Sequence, residues 1–305
     1  MEERRLLVSF SGGETSGLMA KYCQERLGNE YDRIETVFAN TSEENEETLV
    51  FVDQCDRAFG LAVHYVEAKI DPRRGQGTKF EKVDFASAHR EGEIFEAVIS
   101  KHGIPNKAFP LCTRELKAYP IRSFAREYLG WGAGSYDTAI GIRVDEIDRM
   151  SKDARNNRVI YPLVSRWPHR KIDVNEFWRD MPFRLALKGY QGNCRTCWKK
   201  SFRKLFTIMK ETPKKFDFFE RMERDFAHAG AGEGTRVFFR ENRSVADVRE
   251  LARTTRFKLA SDDAREYQID LFGPLALDLA GGCSESCEVD FSDLDVDESQ
   301  TDEAA

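Results

Sequence analysis

Leu6-Leu7-Val8-Ser9-Phe10-Ser11-Gly12-Gly13-Glu14-Thr15-Ser16 is the stretch that decides the fold. Its apolar first half reads as a short buried strand, and Thr15 to Leu27 then sets Leu18, Met19, Tyr22 and Cys23 at helical spacing. Strand, glycine loop and helix in this order have a direct physical use. Glycines let the backbone take positive φ and approach an anion closely, and a helix start offers N–H groups and a favourable dipole. The hydroxyls of Ser9, Ser11, Thr15 and Ser16 add donors. No Walker lysine follows, which argues against a kinase-like or motor-like NTPase.

The same alternation continues outward. A second strand fits Ile34 to Ala39, an amphipathic helix Glu46 to Phe59, and a third strand Ala62 to Val66. Strands alternating with helices predict an α/β fold, a parallel sheet with right-handed crossovers and helices on both faces. Asp71 to Val83 is charged and glycine-bearing, and reads as a mobile loop or lid near the carboxyl edge where ligands bind in such sheets. Helical patterns recur at Ile94 to Ser100 and Ile121 to Tyr128, and Tyr136 to Ile142 reads as another strand. After Pro162 the chain is mainly helical, through Val174 to Trp178 and Phe202 to Met209.

At 305 residues the chain has room for a main domain and a smaller appendage. Its net charge of -6 is set by the end of the chain: residues 283–305 carry nine acids and no base, leaving 44 acids against 47 bases before them. A body charge of about +3 suits nucleotide or nucleic-acid partners and ordinary enzymes alike. No apolar run approaches the roughly 18 residues of a membrane span, and the first residues are charged rather than signal-like, so the expected place is the cytoplasm.

The glycine loop resembles the PP-loop ATP pyrophosphatase superfamily, whose signature is Ser-Gly-Gly-x-Asp-Ser, with Thr15 in place of the aspartate. Three further segments resemble its phosphoadenylylsulfate (PAPS) reductase-like branch, close to bacterial and phage proteins. They are Phe38-Ala39-Asn40-Thr41-Ser42-Glu43-Glu44 with Glu47-Thr48, Gly141-Ile142-Arg143-Val144-Asp145-Glu146 with Arg149, and Tyr161-Pro162-Leu163 before Asp173-Val174 and Phe177-Trp178. The resemblance covers residues 9 to 178 and implies an adenine nucleotide alpha hydrolase-like (HUP, Rossmann-like) domain that binds ATP. Carried onto this chain, it assigns the nucleotide to Ser9, Ser11, Gly12, Gly13, Glu14, Thr15 and Ser16, with Asn40 and Thr41 near adenine or ribose. Glu44 or Glu47 is the expected Mg²⁺ carboxylate, with a solvated helix start as the plain alternative. Arg143 is expected to neutralise charge developing on phosphate. The chain then divides into a nucleotide-binding α/β domain at 1–185, a helical cysteine-bearing region at 186–287, and an acidic tail at 288–305 expected to be disordered.

Seven cysteines in an intracellular chain are core residues, redox thiols or metal ligands more readily than disulfides. Cys23 and Cys55 fall in helical stretches and read as core. Cys194-Arg195-Thr196-Cys197 is a Cys-x-x-Cys flanked by Arg195, Lys199, Lys200, Arg203 and Lys204, bases that favour thiolate. Cys112 and Lys117 lie in a segment resembling the Cys-Thr-x-x-Leu-Lys motif of bacterial and phage relatives, which marks both, with Arg143, as catalytic candidates. Cys112, Cys194 and Cys197 with Cys283 or Cys287 make a four-thiolate set that suits a 4Fe-4S cluster or zinc, or remains as redox thiols. The branch's cluster-bearing members favour iron–sulfur. The Cys-Cys pair and the Glu-Cys-Gly-Leu-His motif of assimilatory reductases are both absent.

Arg195 to Lys215 interleaves bases with Trp198, Phe202, Leu205 and Phe206. It reads either as an amphipathic helix with a solvated basic face, or as a phosphate-contacting surface that Arg236 and Arg240 extend. Three functions stay open. The first is an ATP-dependent sulfurtransferase that adenylylates a small molecule or a base in RNA or DNA, supplied by a sulfur-donor protein. The second is a sulfonucleotide reductase releasing sulfite through Cys287 or Cys283, and the third a nucleotide-binding sensor without chemistry.

Overall fold

The computed structural model describes residues 3–73, 75–192, 194–230 and 234–262. Cys283, Cys287 and the acidic tail lie outside the described residues.

Six strands form one sheet in the order β4-β3-β2-β1-β5-β6: β1 (Arg5–Ser9), β2 (Arg33–Asn40), β3 (His64–Lys69), β4 (Lys79–Val83), β5 (Asp137–Ile140) and β6 (Val159–Ile160). β1 lies at the centre, parallel to β2 on one side and to β5 on the other. Side chains alternate across it as a strand's two-residue period requires. Leu6 and Val8 join one buried cluster and Leu7 the other. The first cluster packs β1 under α1 (Glu14–Arg26), α2 (Glu46–Phe59) and α7 (Lys171–Asp180), while α5 (Tyr119–Glu127) covers the opposite face. Helices thus cover both faces, as the alternation predicts.

One strand departs from the parallel pattern. The segment expected to be a mobile loop between Asp71 and Val83 contains β4, which runs antiparallel to β3 at the sheet's edge. Lys79-Phe80-Glu81-Lys82-Val83 carries too many charges to read as a buried strand, and an edge strand with solvent beside it tolerates them.

α3 (Glu93–His102) is followed by a helical run from Leu111 to Glu127 that changes register midway. It starts as α4 (Leu111–Thr113), widens into a π turn at Arg114–Ala118, and continues as α5. Pro120 has no N–H for the carbonyl of Leu116, and the Tyr119 N–H reaches back five residues to Arg114. The widened turn buries Glu115 and Lys117 on its inner side. After the short α6 (Pro162–Ser165) and α7, α8 (Phe202–Glu211), α9 (Asp217–Phe226) and α10 (Val245–Thr254) pack with α3 around Phe206, Phe219, Phe238 and Phe239. The apolar side of α8 lies in this core, so Phe202, Leu205 and Phe206 are packing residues.

Trp178 anchors the first cluster. It is fully buried against Phe51, and its indole N–H donates to the Glu14 carbonyl at 2.9 Å, tying α7 to the first turn of α1. Trp178→Ala is expected to lower stability by about 3–5 kcal/mol, read as an earlier urea midpoint at unchanged m value. A loss under 1 kcal/mol would contradict this anchoring.

Candidate functional site

The carboxyl ends of β1, β2 and β5 meet where strand order reverses, the place at which open α/β sheets hold ligands. Gly12 leaves β1 at φ +83° beneath α2, and an added Cβ would lie 2.5 Å from Thr48 Cγ2. This position therefore demands glycine for both conformation and space. Gly13 precedes α1, whose first N–H groups have no intrahelical partner. Ser16 closes the loop on itself: its hydroxyl donates to the Gly13 carbonyl at 3.0 Å and lies 2.7 Å from the Ser11 hydroxyl. Glu14, named for the nucleotide, is turned aside. Its carboxylate is clasped by Arg184 through two hydrogen bonds of 2.9 Å.

The loop after β5 approaches the same helix start. At Gly141 an added Cβ would lie 2.9 Å from Ser16 Cα, so glycine permits the contact. Arg143 is 5% exposed and donates from Nη1 to Thr15 Oγ1 at 2.9 Å and from Nε to Asp145 Oδ1 at 2.9 Å; Glu146 Oε2 lies 3.3 Å from Nη1. The ion-pair reading of this arginine is met by Asp145 and Glu146, which aim it at the residue that replaces the signature aspartate.

At the end of β2, Asn40 and Thr41 are fully buried. The Asn40 amide donates to Glu67 Oε1 (2.6 Å) and the His89 carbonyl (2.8 Å), and its oxygen accepts from the Ser42 N–H. Glu67 also bonds His89 Nδ1 at 2.6 Å, which raises the imidazole above its ordinary range. Asn40 therefore shapes the edge through saturated bonds. Thr41 gives its N–H and hydroxyl to Glu44 Oε2 at 2.9 and 2.7 Å, and Lys117 Nζ lies 3.9 Å from Glu44 Oε1. Glu44 is thereby engaged on both oxygens, whereas Glu47 stands exposed in the first turn of α2. Glu47 has Lys215 as a charged neighbour.

Cys194 reaches this edge: its Sγ lies 3.7 Å from Thr41 Oγ1. Two bonds hold its turn there, from the Arg195 N–H to the Glu43 carbonyl at 3.0 Å and from the Arg195 guanidinium to the Arg90 carbonyl at 2.6 Å. Cys197 is buried three residues on, its N–H bonded to the Cys194 carbonyl at 3.2 Å. Cys112 sits in α4, partly buried against the helical core. Among the described residues, no three His, Cys, Asp or Glu side chains gather into a group able to hold a metal ion. The described cysteines thus do not fit a cluster or zinc site by themselves. Cys23 and Cys55 are core residues, and burial pushes the Cys23 thiol up to about 12.

Sequence reasoning missed Glu43, Glu67, His89 and Arg184. Their partners lie 22 to 170 residues away, and no local pattern signals such pairings. The flanking bases are also used differently from expectation. Lys200 is buried and donates to the Gly192 carbonyl, and Arg240, expected on a surface, is buried and donates to the carbonyls of Trp198 and Lys200.

The phosphoadenosine phosphosulfate reductase domain model matches residues 5–173. The uncharacterized nin region protein ORF290 of Escherichia phage lambda is 28% identical over 301 residues, covering 95% of this chain and 97% of its own. The uncharacterized protein MJ0066 of Methanocaldococcus jannaschii is 23% identical over 76% of this chain and 44% of its own. The crystal structure of PAPS reductase from Candida auris in its phosphate complex aligns at TM-score 0.33 and 16% identity, over 57% of this chain and 71% of that one. No helix among the described residues is long and apolar enough to cross a membrane.

Glu43 supplies a pH-dependent element. Burial outweighs the Arg195 charge 3.4 Å away and pushes its carboxyl up to about 8, while Oε2 has no hydrogen-bond partner. The folded state therefore holds a proton that the unfolded chain releases near pH 4–5, and this contribution to stability is lost as pH rises from about 5 through 8. Glu43→Gln is expected to flatten that slope in urea titrations across the interval. A slope equal to wild type would show that Glu43 is already ionised when folded.

Proposed function

Since the chain belongs to the phosphoadenosine phosphosulfate reductase domain family, whose model spans more than half its length, we propose that it is an ATP-dependent sulfurtransferase that works by adenylylating its acceptor. The observation that carries this reading is the Cys194 sulfur 3.7 Å from Thr41, at the strand end beside the glycine loop. A thiol there stands next to the bound nucleotide rather than at a remote redox centre.

The polyphosphate lies along Ser11 to Ser16, met by the N–H groups that open α1 and by the serine hydroxyls. Glu47 would hold Mg²⁺, which would supply neutralisation of the polyphosphate charge. Arg143, fixed by Asp145 and Glu146, stabilises charge building on the phosphate as the α–β bond breaks. Lys117, fixed by Glu44, serves as a second cation beside the acceptor. An acceptor carbonyl oxygen attacks the α-phosphorus, forming an O–P bond and releasing pyrophosphate. The acceptor is a nucleic-acid base or a small molecule. A sulfane sulfur, delivered onto Cys194 by a donor protein, attacks the activated carbon and AMP leaves. Cys197 thiolate then attacks Cys194 Sγ, freeing the thiolated product, and an external thiol reduces the Cys194–Cys197 disulfide. The iron–sulfur expectation takes no part in these steps, since the described cysteines do not assemble a metal group.

Arg143→Gln is expected to lower kcat/KM for acceptor-dependent pyrophosphate release about 100-fold, with folding verified by circular dichroism. Cys194→Ser is expected to keep pyrophosphate release and abolish sulfur incorporation. Sulfite release from PAPS under reduction, without pyrophosphate from ATP and any acceptor, would replace this reading with sulfonucleotide reduction.

A further inference from the structure

A second concave site lies away from the nucleotide edge. A cavity of about 820 Å³ opens between the C-terminal end of α3, the segment leading into α4 and Gly230, lined by Lys101, His102, Phe109, Arg114 and Arg236 among others. Its size falls within the roughly 300–1,000 Å³ of ligand sites. Among the described residues, no Asp or Glu lines it.

Three features give it a chemistry. Phe109 is 46% exposed, unusual for so large an apolar ring, and the Arg236 guanidinium lies 3.9 Å from its centroid. Arg236 is itself fixed, donating from Nη1 to the His102 carbonyl at 3.1 Å, with its backbone N–H on Ala227 at 2.8 Å. Arg114 projects from the π turn, its Nε held at 3.0 Å by Glu115, which is buried and also accepts from Thr78. Lys101 donates to the Gln76 carbonyl at 2.6 Å. Burial holds His102 below its ordinary range, so its imidazole adds no charge near neutral pH. Against Lys101, Arg114 and Arg236 stand, among the described residues, the buried carboxylate of Glu115 and that of Asp71, which is paired with Arg73 and acts on Lys101. An aromatic face among fixed cations is how proteins hold unpaired nucleotides, the base stacked on the ring and the phosphates on the bases. Three cations also exceed what a single phosphate requires.

We propose that this cavity binds a single strand of nucleic acid, a base stacked on Phe109 and successive phosphates on Lys101, Arg114 and Arg236. The site does not depend on the sulfurtransferase reading and is tested without ATP.

The test is fluorescence anisotropy of the full chain with a 5′-labelled ten-nucleotide deoxythymidylate strand over a salt series. Phe109→Ala is expected to weaken binding about tenfold. Arg114→Gln is expected to weaken it and reduce the slope of log K against log salt by about 0.7, the release of one counterion. Arg179→Gln, at an exposed arginine on α7, is expected to bind as wild type. Wild-type binding by both cavity variants, an equal loss in Arg179→Gln, or thymidine monophosphate binding as tightly as the ten-mer would each overturn the proposal. Loss of pyrophosphate release with this pattern intact would count against the sulfurtransferase reading alone.

Discussion

The Arg143–Thr15 hydrogen bond joins the two halves of the sheet edge. Arg143 follows the strand on one side of β1, and Thr15 opens the helix that follows β1 itself. A buried guanidinium is costly unless its charge and N–H groups are satisfied. Asp145 and Glu146 satisfy it from one side and the Thr15 hydroxyl from the other. In the superfamily signature an aspartate stands where Thr15 is. Here the Thr15 hydroxyl accepts the hydrogen bond while adding no charge. Glycine at 141 is the condition for this contact, since any Cβ there would push the loop from Ser16.

A second set of interactions extends the edge away from β1. Asn40, Glu67 and His89 form one saturated group, Thr41, Glu44 and Lys117 another. Their hydrogen bonds lock the end of β2 in place before any ligand arrives, the preorganisation that electrostatic stabilisation requires. The Cys194 turn is seated against this rigid edge through Arg195, and Glu43 beneath it holds its proton to about pH 8. The thiol is thus placed by long-range contacts and not by its own Cys-x-x-Cys spacing.

What the sequence disclosed follows from the range of the forces involved. The strand–glycine–helix start at Leu6 to Ser16 is local: its apolar run, its glycines and its hydroxyls act within a few residues, and it appears as expected. The parallel core strands were legible for the same reason. β4 was not, because an edge strand survives a composition that disqualifies a central one. The π turn at Arg114–Ala118 was hidden although its cause, Pro120, stands in the sequence, because a proline more often begins a helix than widens one. Arg184 on Glu14 and Arg195 on Glu43 join residues more than 150 apart, pairings no periodicity encodes. Arg240 illustrates the converse error: its charge suggested a surface, and two backbone carbonyls drew it inside.

Amide hydrogen exchange at saturating ATP and Mg²⁺, compared with the ligand-free protein, tests the central claim most directly. The account predicts slowed exchange in the segment from Ser11 to Ser16 and in the loop from Gly141 to Arg143, with α8 to α10 unchanged. Protection absent from Ser11 to Ser16, or confined to the helical region after residue 200, would contradict it.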